Sequence, residues 1–109
     1  MELNYKKQGG LIQNEEILLF FKTLQDTIER RRREMPAGSY TTSLFNSGIA
    51  RIAQKVGEEA VETVIEAMAG NDERLLYEAS DLIYHLMVLL TSKGYRIEDL
   101  AVELKKRHK

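Results

Sequence analysis

Asn71-Asp-Glu-Arg-Leu-Leu-Tyr-Glu78-Ala-Ser-Asp81-Leu-Ile-Tyr-His85-Leu-Met-Val-Leu-Leu-Thr-Ser92 decides the fold. Leu75, Ala79, Leu82 and Leu86 recur at helical spacing, Tyr77, Tyr84 and Val88 flank them, and nothing alternates with the period of two that a strand requires. Asn71 can cap this helix, Asp72 and Glu73 suit the positive end of its dipole, and Lys93-Gly94 closes it. The segment is therefore a helix, apolar almost all round, with one narrow strip formed by Glu78, Asp81 and His85. Acids bracketed by apolar residues face another helix rather than water.

Working outward, the preceding segment from about Leu44 or Asn46 to Ala69 reads as a second long helix, roughly 35 Å at about 1.5 Å per residue. Ile49, Ile52, Ala53, Val56, Ala60, Val64 and Ala67 share one of its faces, and Gly70 is its C-terminal cap. A first helix begins after Asn14, with Glu15 and Glu16 in its first turn and Ile17, Phe20, Phe21, Leu24 and Ile28 at helical spacing, and it stops before Pro36. Pro36 to Thr42 is loop-like. A short last helix carries Ile97, Leu100, Ala101 and Leu104. The expected architecture is one all-α domain over residues 1–109, a bundle of about four helices with two long central ones, preceded by a flexible tail over residues 1–14. On the Asn71–Ser92 helix, Tyr84, Met87 and Val88 are expected to be exposed, more apolar perimeter than four helices cover, which predicts a homodimer.

The chain has 109 residues, 43% of them hydrophobic and 30% charged, enough apolar material for one core. With 16 Lys plus Arg against 17 Asp plus Glu there is no global field to hold a polyanion. Absence of Cys excludes disulfides, thiolate metal sites and cysteine nucleophiles, and fits a reducing compartment. No apolar run approaches the roughly 18 residues that span a bilayer, and Met1 to Gly10 lacks the apolar segment of a secretory signal. The expected location is the cytoplasm, with no membrane or nucleic-acid partner.

Charge is balanced in sum but not in place. Between Val56 and Asp81 stand eight acids, Glu58, Glu59, Glu62, Glu66, Asp72, Glu73, Glu78 and Asp81, against one base, Arg74. At about 100° per residue, Lys55, Glu59, Glu62 and Glu66 form one stripe of the second helix. If that stripe faces Glu78 and Asp81 across a helical hairpin, four carboxylates converge without an equal number of bases. Such a cluster destabilises the fold unless a cation sits among it. Oxygen ligands without His or Cys partners suit Mg2+ or Mn2+, and Mg2+ would share ligands with substrate phosphates. The competing reading is a pair of solvated acidic faces.

Other residues carry two readings each. His85 can orient an acid, touch substrate, or be a hydrogen-bonded structural histidine. Ser39, Tyr40, Thr41 and Thr42 offer hydroxyls and amides where a phosphate can dock, as any surface loop does. Gly57 marks close helix packing or is merely tolerated. Arg30 to Arg33 contact phosphates or nucleic acid, or form a solvated helix end.

Three blocks carry a resemblance. Ser39-Tyr-Thr-Thr-Ser-Leu-Phe45, then Gly48 and Arg51-Ile-Ala-Gln-Lys-Val-Gly-Glu-Glu-Ala-Val-Glu62, then Glu78-Ala-Ser-Asp-Leu-Ile-Tyr-His-Leu-Met-Val-Leu-Leu90 closely resemble the phosphoribosyl-ATP pyrophosphohydrolases. The likeness runs from about Leu18 to Arg107, with 15 residues between Glu62 and Glu78. This family belongs to the all-α nucleoside triphosphate pyrophosphohydrolases, whose motif is Glu-x-x-Glu followed by Glu-x-x-Asp, here Glu59, Glu62, Glu78 and Asp81. The resemblance implies Mg2+-dependent hydrolysis of 1-(5-phosphoribosyl)-ATP to 1-(5-phosphoribosyl)-AMP and pyrophosphate, the second step of histidine biosynthesis, by a homodimer. It implies metal ligation by those four acids, catalytic roles for Glu58, Glu59, Glu62 and Lys55, and substrate contacts by Ser39, Tyr40, Thr41, Arg51, Lys55 and His85. Arg51 stands where the family often has Lys, and Arg96 precedes the last helix where a capping Ser is usual. Many members are fused behind a cyclohydrolase, none of which is expected within these 109 residues. The rivals are a house-cleaning nucleoside triphosphate pyrophosphohydrolase and a non-enzymatic helical interaction module.

Overall fold

A computed structural model describes residues 11–108, which form five helices and, among the described residues, no strand. They are α1 Leu11–Glu34, α2 Tyr40–Ser47, α3 Ile49–Ala69, α4 Asp72–Ser92 and α5 Ile97–Arg107. The all-α expectation holds, with one helix more than the sequence reading counts. Its origin is Gly48, whose φ of 90° and ψ of 168° break what would have been one helix into α2 and α3. Ser39 caps α2 by accepting from the Thr42 amide at 3.3 Å, so Tyr40 to Thr42, read as loop, are already helical. At the other end of the chain, α1 starts at Leu11, and Asn14 lies inside the helix instead of capping it. Residues 1–10, most of the expected tail, lie outside the described residues.

The punctuation of the long hairpin follows its sequence. Gly70 closes α3 in the left-handed conformation with φ 75°, a backbone state that costs glycine nothing. Asn71 then accepts from the Arg74 amide at 3.0 Å and starts α4 with Asp72 and Glu73 in its first turn. These two residues turn the chain by half a revolution, and α3 and α4 pack along their length. Before them, α1 stops one residue short of Pro36, with Met35 at φ 49°.

The core is small: Ile28 of α1, Leu44 of α2, Ile52 of α3, and Met87 and Val88 of α4. Met87 and Val88, expected on an exposed face, are wholly buried. The reason is that α4 is the central helix, packed on one side by α3 and on others by α1 and α2, and Tyr84, also expected to be exposed, is half-buried. The apolar face read on α3 is likewise redistributed. Ile52 is buried, Val56 and Ala60 are half-buried, and Ile49, Val64 and Ala67 are exposed. What α3 turns toward α4 is the side bearing Glu59.

Polar pairs finish the packing. Gln25 is fully buried, donates to Thr91 at 2.8 Å, and accepts from the Ile97 amide at 2.9 Å, tying α1, α4 and the start of α5 together. Arg32 donates to the Thr91 carbonyl at the C-terminal end of α4, which gives one member of the Arg30–Arg33 run a structural task. Arg96, lacking the acceptor of a capping serine, still starts α5: the Asp99 carboxylate accepts from its amide at 2.8 Å. Its guanidinium meanwhile pairs with Glu29 and, at 2.8 Å each, with Asp26 and Glu98.

The Arg96 guanidinium holds the Glu98 carboxyl below its ordinary range, and Arg96 with Lys22 does the same for Asp26. Both acids are more acidic folded than unfolded, so their stabilisation is present at neutral pH and is lost as pH falls below about 4. Thermal melts should therefore show Arg96→Gln clearly less stable than the parent at pH 7, with a difference that shrinks by pH 3. An equal difference at both pH values would show that Arg96 acts by packing alone.

Candidate metal centre

The stripe expected to face α4 does so. Glu59 and Glu78 are 5% and 4% exposed, and Glu59, Glu78 and Asp81 each offer a carboxylate oxygen within 4.8 Å of the others. Glu59 and Glu78 come from opposite arms of the hairpin, and Asp81 is one turn beyond Glu78 on the same face of α4. Glu62, one turn beyond Glu59, has an exposed side chain that reaches the Glu78 carboxyl from the open edge of the cluster. Four carboxylates thus meet, three in close approach and one at the rim.

Hydrogen bonding from Glu62, then burial, then Glu59 push the Glu78 carboxyl up to about 7. Burial also opposes ionisation of Glu59, but its contacts with Glu78 and the Lys55 ammonium prevail, and Glu59 stays below its usual value. Of the two buried acids, Glu78 is therefore the one whose ionisation is opposed. Two bases border the cluster. Lys55 lies 3.3 Å from Glu59 and 3.4 Å from Glu58, and Arg74 lies 2.6 Å from Glu78. Even so, Glu59 Oε2 and Glu78 Oε2 are buried with no hydrogen-bond partner among the described residues. Two inward-facing carboxylate oxygens without donors, in an all-oxygen set, fit a hard divalent cation. Solvated acidic faces would leave no such atoms.

Beside the acids, α2 and α4 are joined by a polar seam. The Asp81 carbonyl can only accept, so the neutral His85 ring donates from Nδ1 at 2.7 Å, and its Nε2 accepts from the Tyr40 hydroxyl at 2.8 Å. Thr41 and Tyr84 pair through their hydroxyls. His85 is buried with both nitrogens engaged, the arrangement of the structural reading, and it fixes the backbone of Asp81. Ser39 spends its hydroxyl on the α2 cap, whereas Thr42 Oγ1 is buried without a partner among the described residues.

Tyr40 is half exposed, and burial raises its phenol above the ordinary value while Lys55 and Arg51 pull the other way. Tyr40, Lys55 and Arg51 therefore surround one rim of the acids, with Arg51 exposed and making no ion pair among the described residues. Glu58 is held by Lys55 and accepts from Gln54 at 3.0 Å. Glu66 lies away from the close cluster, at 3.7 Å from Arg74. Two participants went unassigned in the sequence reading, Arg74 and Tyr84. The first had a signal, as the only base in the acidic stretch and four residues before Glu78.

The fold and site define an all-α protein with a carboxylate cluster in a helical hairpin whose all-oxygen donor set suits a divalent cation. A family profile described as phosphoribosyl-ATP pyrophosphohydrolase matches residues 21–108. Among curated proteins, the histidine biosynthesis bifunctional protein HisIE of Bacteroides thetaiotaomicron is 73% identical over 95 residues, 87% of this chain and 47% of that protein. The phosphoribosyl-ATP pyrophosphatase of Pyrobaculum calidifontis is 50% identical over 86 residues, 79% of this chain and 92% of the relative. That of Leptospira biflexa is 45% identical over 89 residues, 82% and 97% of the two chains. This chain belongs to the phosphoribosyl-ATP pyrophosphohydrolase family. It spans about half the length of the bifunctional relatives it matches.

The seam sets a tautomer that can be read directly. Nitrogen-15 NMR of the neutral His85 ring should find its proton on Nδ1, and Tyr40→Phe should cost about 1 kcal/mol by leaving Nε2 without its donor. A proton on Nε2 would reverse the assignment of Tyr40 as donor.

Proposed function

We propose that this chain hydrolyses 1-(5-phosphoribosyl)-ATP to 1-(5-phosphoribosyl)-AMP and pyrophosphate, the second step of L-histidine biosynthesis, in the cytoplasm. Family membership supports the substrate, and the convergence of Glu59, Glu78 and Asp81 around two donorless buried oxygens is the observation that carries the chemistry. Glu59, Glu62, Glu78 and Asp81 would hold Mg2+, or Mn2+ in its place. A cation held there supplies charge neutralisation for a polyphosphate and acidifies a bound water.

The chain's own residues divide the remaining work. Lys55 and Arg51, on the rim beside Tyr40, meet phosphate oxygens, and Arg51 as a planar fork can take two at once. Glu58, with its carboxylate at the surface beside Lys55, accepts the proton of the attacking water. Water oxygen bonds to the α-phosphorus, the anhydride bond to the β-phosphate breaks, and pyrophosphate leaves with the electron pair. Ser39 to Thr42 form the wall nearest the phosphoribosyl end, with the unpartnered Thr42 hydroxyl at that wall. Among the described residues no helix is long and apolar enough to cross a membrane, and the negative centre repels nucleic acid.

The reading includes a homodimer, for a reason different from the one first expected. Because α3 turns Glu59 toward α4, its opposite side presents Val61, Val64, Ile65 and Met68, and α1 presents Leu18, Leu19 and Phe20. These seven residues are more than half exposed in the single chain, against five apolar residues in its buried core. A second copy covers it.

Pyrophosphate release should require Mg2+ and phosphoribosyl-ATP, with ATP and dCTP nearly inert. Release chiefly from dCTP or ATP would favour a house-cleaning enzyme, and none from any of the three would remove the enzymatic reading. Asp81→Asn or Glu62→Gln should lower turnover at least about a hundredfold while circular dichroism stays helical, an effect of the size expected for losing electrostatic stabilisation of the transition state.

Light scattering should give twice the 12.5 kDa of the chain at micromolar concentration. Val61→Glu with Ile65→Glu should shift it to monomer; a stable monomer before substitution would refute the dimer.

A further inference from the structure

We propose that Arg74 is a built-in counter-ion of the acidic centre, seated on Glu78 in the absence of metal and moving to Glu66 when a divalent cation binds. The inference rests on Glu59, Glu78 and Asp81 being metal ligands. Arg74 is a positioning residue in this scheme, acting through Glu78.

Arg74 Nη2 donates to Glu78 Oε1 at 2.6 Å, while the other oxygen of the same carboxylate, Oε2, is buried and partnerless. The carboxylate is therefore half neutralised by its own helix and half unsatisfied toward the centre of the cluster. Arg74 is also within reach of a second acid: its Nε lies 3.7 Å from Glu66 Oε2, on the opposite arm of the hairpin. Its guanidinium carbon sits 4.6 Å from the centre of the Tyr77 ring, a third favourable contact outside the cluster. The side chain is 48% exposed, so swinging between these partners meets little packing.

Lys55 makes the instructive contrast. It is 20% exposed, and both of its partners, Glu58 and Glu59, are on its own helix within one turn. Arg74 alone spans the two arms, from Glu78 on its own helix to Glu66 on the other.

A divalent cation at Glu59, Glu78 and Asp81 would stand within a few ångströms of the guanidinium, and two like charges so close repel. Glu66 and Tyr77 let Arg74 withdraw without leaving its charge unpaired. Glu66, which helical spacing grouped with Glu59 and Glu62, then has a role other than ligation. It is where the displaced cation rests. Metal affinity becomes an exchange constant, weakened by Arg74 and restored in part by Glu66.

The test is Mn2+ binding to the metal-free full chain, read by calorimetry and by the electron paramagnetic resonance of free Mn2+. Arg74→Met, which keeps an apolar stem over Tyr77, should bind Mn2+ about three- to tenfold more tightly, the range expected from removing a partly exposed ion pair. Arg74→Gln gives the same reading should the Met variant not fold. A purely structural role for Arg74 would weaken binding instead. Glu66→Gln should weaken binding in the parent and do so by less than half as much, in logarithmic terms, in the Arg74→Met background. Additive effects, or unchanged affinity on replacing Arg74, would overturn the exchange. Failure of the parent to bind Mn2+ at all would instead overturn the metal site beneath it.

Discussion

Two buried carboxylates facing each other across a helical hairpin constrain everything else in this molecule. Glu59 and Glu78 are almost fully out of water, and each keeps one oxygen without a hydrogen-bond donor. Removing an ionised carboxylate from water costs several kcal/mol even after relaxation, so the surroundings must offset it. Part of the offset is local: Lys55 and Arg74 stand at the rims, and the Glu78 carboxyl is pushed up to about 7, mainly by Glu62. The remainder depends on rigidity elsewhere. Gly70 and Asn71 fix the turn, and the Tyr40–His85–Asp81 seam fixes the rotation of α4.

Facing the acids inward has a consequence for the opposite side of α3. A helix has one circumference, and when the α4-facing third carries Ile52, Lys55 and Glu59, the aliphatic residues Val61, Val64, Ile65 and Met68 must point away from the hairpin. The chain thus buries charge and exposes hydrocarbon along the same helix. An apolar side of this extent on a chain with five buried apolar residues is what the proposed homodimer would cover. The acidic cluster and the exposed aliphatic face are thus two sides of one helical orientation.

Most of this was legible in the sequence, for identifiable reasons. Caps have short-range chemistry, so Gly70, Asn71 and the stop before Pro36 could be placed from neighbours alone. The convergence of Glu59 and Glu78 followed from the bracketing of acids by apolar residues on α4, which excludes a solvated face. Two of the readings that failed did so where information is not local. The second helix, read from about Leu44 or Asn46 to Ala69, ran through Gly48, because a glycine in a helix costs only about 1 kcal/mol and nothing nearby announced that it adopts φ 90°. Met87 and Val88 were assigned to the outside because the hydrophobic pattern of α4 is nearly continuous round its axis. Which apolar side is covered depends on where α1 and α2 cross it, and helical periodicity contains no such information.

The arginines show how position assigns different tasks to one side chain. Arg32 closes the carbonyl end of α4, where a cation meets the negative pole of the helix. Arg96 stands where a serine would cap α5 and binds three acids from two helices, making the junction of α1 and α5 electrostatic rather than apolar. Arg74 is tied to the buried acids themselves. The planar fork of Arg32 reaches two carbonyls and that of Arg96 three acids, which an ammonium group cannot do with the same geometry. At Arg74, under the proposed exchange, the same fork that neutralises Glu78 would also set how readily a divalent cation enters the cluster.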